Sequence, residues 1–98
     1  MAGEEGYISI REEFLSNTEQ TLRTMTFAEQ ANDTAALKRA AHMLQGGSGS
    51  LGATQLALLC REFQTRLAAG ALRNERLDIM ARMAAEFAVV HRALLELS

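Results

Sequence analysis

Ninety-eight residues make one domain, spanning 1–98, with a single core and little more, since a chain of this size buries well over half of its unfolded surface. A net charge of −2 argues against general nucleic-acid affinity. No apolar run approaches the roughly 18–20 residues of a membrane span, and the start Met1-Ala2-Gly3-Glu4-Glu5 is acidic rather than signal-like. The single Cys60 has no partner for an internal disulfide, which fits a reducing, cytoplasmic setting. Proline is absent, aromatics are scarce, and Val and Ile together number only five, so the composition selects an all-α fold.

Turn signals divide the chain into four helical stretches. The first runs from about Ile8 to Ala31, with Phe14, Leu15, Thr18, Leu22 and Met25 on one face, behind about seven flexible residues. Its opening, Ser9-Ile10-Arg11-Glu12, has the form of a capping box. The stretch is long enough to be broken in two, which would set a short extra helix before the bundle. Asn32-Asp33-Thr34 reads as a turn and a fresh N-cap.

The second stretch carries Leu37, Ala41 and Leu44 inward and runs into Gly46-Gly47-Ser48-Gly49-Ser50-Leu51-Gly52. Those glycines read either as more helix or as an interhelix loop. The third covers about Ala53 to Ala69, with Leu56, Leu59, Cys60, Phe63 and Leu67 as its stripe and Gly70 as its stop. Asn74 is a candidate cap for the fourth, whose stripe reads Leu77, Met80, Ala84, Phe87 and Leu94. Four amphipathic helices with short connections imply an antiparallel up-down bundle.

His42 breaks the pattern. On a wheel at 100° per residue, Leu37, Ala40, Ala41, Leu44 and Leu51 fall within about 100° of arc, and His42 lies roughly 150° from its middle. It therefore points at solvent. Its surface neighbours are Lys38 and Arg39 one turn before, Gln45 and Gly46 one turn after, and Gly49 two turns after. Glycine inside a helix costs about 1 kcal/mol relative to alanine, and a bare surface where another protein's backbone comes close is a reason to accept that cost.

Histidine is a good nucleophile near neutral pH, its reference pKa being about 6.5. Lys38 and Arg39 are placed to attract phosphoryl oxygens, although two basic residues on a solvated helix face are ordinary. The sequence holds no phosphate loop, no carboxylate cluster for magnesium and no nucleotide-fold motif. A chain of this kind can hold a phosphoryl group but needs a partner to activate one.

The run Ala41-His42-Met43-Leu44-Gln45-Gly46-Gly47-Ser48-Gly49-Ser50-Leu51-Gly52-Ala53 resembles the signature of histidine-containing phosphotransfer (HPt) domains. The likeness extends to Asp33 and Leu37 before it, to Leu56, Leu59, Cys60, Phe63 and Gly70 after it, and to Met83-Ala84-Ala85-Glu86-Phe87. The resemblance implies a four-helix bundle with His42 as phosphoacceptor, working between receiver-domain aspartates in a His–Asp phosphorelay and supplied by a sensor or hybrid histidine kinase. It implies no enzyme activity and no cofactor of the chain's own, magnesium being held by the receiver. Gln45 stands where the family usually has lysine. Gln64 falls where the family often carries Glu or Gln able to reach the histidine from the next helix.

Other readings stand beside this one. The chain could be a pseudo-HPt module that docks a receiver or kinase without accepting phosphate, or a chemotaxis-type domain served directly by a kinase. Phe27 lies off its helix's stripe, so it either faces a partner or packs on the N-terminal segment. His91 sits near the stripe of the fourth stretch and reads as partly buried. No third ligand stands at useful spacing to make His42 and His91 a metal site. Cys60 reads as an inert core residue.

Overall fold

The computed structural model describes residues 2–96, the side chains of 2–9 excepted. It contains four helices, α1 (Ala2–Gln30), α2 (Thr34–Leu51), α3 (Thr54–Ala68) and α4 (Arg73–Glu96), and no strand among the described residues. Packing follows chain order: α2 lies against α1 and α3, and α4 lies against α3 and, more thinly, α1. The bundle is elongated, 48 × 19 × 17 Å. Much of that length is α1, whose 29 residues span about 43 Å at 1.5 Å per residue.

The ends of the helices explain where the chain turns. Asp33 caps α2, its carboxylate accepting a 3.0 Å hydrogen bond from the Ala36 N–H and so satisfying one of the free donors of the first turn. Three helices end in the same device, a left-handed residue with two backbone bonds folding back across it. Asn32 (φ 55°), Gly52 (φ 82°) and Gly70 (φ 81°) hold that position. The following N–H groups, of Asp33, Ala53 and Ala71, reach the carbonyls of Ala28, Ser48 and Arg66 at 2.8, 2.8 and 3.0 Å. Gly70 thus stops α3 as expected.

The core is the set of buried faces: Met25 and Ala28 of α1, Leu37, Ala40, Ala41 and Leu44 of α2, Leu56, Cys60 and Phe63 of α3, and Ile79 and Met83 of α4. Burial pushes the Cys60 thiol up to about 12, so it stays protonated and unreactive. Polar contacts tie α1 to α4. Arg11 donates to the Leu94 carbonyl at 3.2 Å. Arg76 grips both carboxylate oxygens of the buried Glu29 with one edge of its guanidinium, Nε and Nη2 donating at 2.8 and 2.7 Å. The bond to Glu29 raises the guanidinium's pKa.

Several expectations need correction. The first helix begins at Ala2 and is continuous, so Ser9 lies inside it rather than capping it, and the extra N-terminal helix does not form. The flexibility expected of the first seven residues falls where only the backbone is described, with Met1 outside the described residues. Of the two readings of the Gly46–Gly49 run, helix holds: Leu44 before it and Ser48 within it are buried against the bundle, and Gly52 supplies the stop. Asn74 lies within α4, which starts at Arg73. The buried face of α4 is turned away from the expected stripe, of which Met80 and Phe87 stay half-buried against the core. Ile79 and Met83 are buried, whereas Leu77 is 42% exposed and Ala84 is exposed.

Candidate functional site

The inward face of α2 is closed: Leu37, Ala40, Ala41, Leu44 and Ser48 are buried. That phase leaves the opposite face to solvent, and Lys38, Arg39, His42, Gly46 and Gly49 are all exposed there. His42 stands near the middle of this 18-residue helix, on rigid backbone rather than on a loop. Lys38 and Arg39 precede it by one turn. Arg39 leans toward α1, where it borders a groove with Gln20, Thr24 and Met43.

Gly46 and Gly49 have no packing reason to be glycine. A Cβ built on either would meet nothing within 4 Å. The fold therefore gains nothing from the missing side chains, although helix propensity is lost at each. Gly47 differs, because a Cβ there would sit 3.8 Å from the Phe14 ring, an ordinary contact.

Gln45 is half-buried on the α3 side of this face. Its side-chain oxygen accepts a 2.7 Å hydrogen bond from the Gln64 amide, which also donates to the Cys60 carbonyl at 3.2 Å. Gln64 thus spends its amide protons on Gln45 and the α3 backbone. On the other side of His42, Met43 is 69% exposed. It forms the rim of a groove of about 430 Å³ between α1 and α2, floored by Phe14, Leu44, Gly47 and Leu51 and flanked by Ile10. Met43 was overlooked in the sequence. The signal was there: an unbranched apolar residue beside the histidine and off the core stripe.

Phe27 is 70% exposed, which resolves its two readings toward solvent. His91 is not partly buried. It is exposed and stacks on Phe87, ring centroids 5.8 Å apart and planes within 9°. Among the described residues, no group of three His, Cys, Asp or Glu side chains is placed to hold a metal ion, and no helix is long and apolar enough to cross a membrane.

A helical bundle displaying one histidine at mid-helix, with bare backbone beside it, defines a class of domain, and comparison with known proteins agrees. Residues 9–97 match the Hpt domain family, and the chain belongs to that family. Its fold matches the crystal structure of histidine-containing phosphotransfer protein B (HptB) from Pseudomonas aeruginosa PAO1. The TM-score is 0.89 and the identity 32%, over 95% of this chain and 80% of that one. No curated protein sequence matches significantly.

Proposed function

We propose that this single domain is the carrier step of a two-component phosphorelay and that His42 is the residue phosphorylated. One imidazole nitrogen attacks the phosphorus of a receiver-domain aspartyl phosphate while the other keeps its proton. The N–P bond forms as the P–O bond to the aspartate breaks, and the aspartate leaves as a carboxylate. Attack by a second receiver's aspartate on the phosphohistidine reverses these bond changes and returns a free imidazole. Lys38 and Arg39 offset part of the phosphoryl charge. Magnesium belongs to the receiver, and the chain brings no cofactor.

The observation that carries this reading is the open surface at Gly46 and Gly49, beside an exposed histidine on a helix whose other face is buried. A receiver must bring its phosphorylated aspartate to within bonding distance of the imidazole, and side chains at these two positions would hold it off. The groove behind Met43, with Phe27 further along α1, offers the apolar contact that docking needs. The partners are response-regulator receivers and a sensor or hybrid histidine kinase, in the cytoplasm. Connections of three, two and four residues favour antiparallel neighbours in up-down order.

The test is incubation with a phosphorylated receiver. Phosphate that moves to this chain and is acid-labile but base-stable supports the proposal. A complex that forms without any transfer supports the pseudo-HPt alternative instead.

A further inference from the structure

The family pattern puts a lysine one turn after the histidine, and this chain has Gln45. The hydrogen bonds around Gln45 fix which way its amide faces, by a chain of donor and acceptor requirements. The Cys60 carbonyl only accepts, so Gln64 must turn its NH2 group toward it, at 3.2 Å. That same NH2 group lies 2.7 Å from Gln45, so Gln45 must present its oxygen. Both Gln64 protons are then committed. The Gln45 NH2 group is left with its two N–H donors given to no group among the described residues and not buried. Gln45 is three residues from His42, a surface neighbour on the helix.

We propose that Gln64 is a positioning residue: it holds the Gln45 side chain so that the NH2 group, and not the oxygen, faces a phosphoryl group on His42. A free glutamine offers either end of its amide, and its oxygen would repel a phosphoryl oxygen. The Gln64 bond selects the donor end and gives the site a neutral hydrogen-bond donor in the place of the lysine. This inference rests on His42 being the phosphoacceptor, and the experiment separates the two.

The domain is treated with phosphoramidate, in which the bond from phosphorus to nitrogen breaks, an N–P bond to imidazole forms and ammonia leaves. Side-chain amide resonances are followed by 15N–1H NMR. In the native chain, phosphorylation of His42 shifts the Gln45 NH2 pair. Gln64→Met, close in size but unable to donate, reduces that shift. It also lowers the phosphorylated fraction at equilibrium with a receiver about two- to ten-fold, the range for one hydrogen bond. In a Gln45→Lys background the same Gln64→Met change leaves the fraction at the level of Gln45→Lys alone, because an ammonium is a donor however it turns; damage to packing would lower it there too. Phosphorylated His42 with an unmoved Gln45 pair, or a double variant as far below Gln45→Lys as Gln64→Met is below the native chain, overturns the positioning role and leaves the proposed function standing. Phosphate absent from His42 overturns the proposed function itself.

Discussion

The two histidines of this chain are both exposed, both on long helices, and differ in everything around them. His91 lies flat on Phe87, a contact that gives its ring a structural use. His42 has the bare backbone of Gly46 and Gly49 beside it, where even a Cβ would touch nothing. Exposure alone therefore says little about function. What separates them is that His91 stacks on one of the fold's own side chains, whereas the surface beside His42 is kept clear at a cost in helix propensity.

The sharpest way to break this contrast is to remove each histidine in turn. His42→Gln should abolish phosphate acceptance and leave the thermal unfolding curve nearly unchanged, since an exposed side chain contributes little packing. His91→Gln should accept phosphate as the native chain does. Labelling that persists without His42 would erase the distinction.

The next largest effect lies far from both histidines in function. The buried Glu29 and the half-buried Arg76 form an ion pair that pins α1 to α4. Removing Glu29 strands a charge, and Glu29→Ala should cost about 3 kcal/mol in denaturant unfolding, as broken buried pairs do. Phosphotransfer by the fraction still folded should be unaltered. A change in its rate would mean that the frame and the site are coupled.

Gly46→Leu and Gly49→Leu test the cleared surface itself. Each should slow transfer from a receiver by about tenfold or more, while stability holds or rises slightly, because helix propensity favours leucine and nothing stands in its way. Stopped-flow transfer and thermal melts on the same samples check both halves. Unchanged kinetics would make these glycines incidental.

The smallest effect concerns charge. Gln45→Lys should raise the equilibrium phosphorylated fraction by a few-fold, more at low salt than at high, because exposed charges are screened. Neutralising Lys38 and Arg39 together should lower it by a similar factor. Measurements at two ionic strengths with one receiver would reveal either.

How far the sequence carried depended on the helix. For α2 the wheel gave both the buried face and the outward histidine, because its apolar residues occupy one narrow arc and Asp33 marks its start. In α4 the same procedure chose Leu77 and Ala84 over Ile79. That helix also carries Val89, Val90 and Leu95 off the core, so its apolar residues surround it and periodicity leaves its rotation open. Ser9 looked like a cap because a capping box is a local signal, and it competes with the continuation of a helix that only Gly3 and Gly6 oppose. The Glu29–Arg76 pair and the Gln45–Gln64 pair join residues on different helices, 47 and 19 positions apart, which no single-helix wheel can bring together. The exposed histidine was legible in the sequence; the amide pair beside it needed the fold.

The central claim is that His42 takes up phosphate. Its most direct test is to mix the native chain with a phosphorylated receiver, quench in base, and locate the phosphate by fragmentation mass spectrometry under conditions that preserve N–P bonds. The account predicts phosphate on the peptide containing His42, with the receiver losing as much as this chain gains. Phosphate on His91, or a receiver that binds and loses none to this chain, would contradict it.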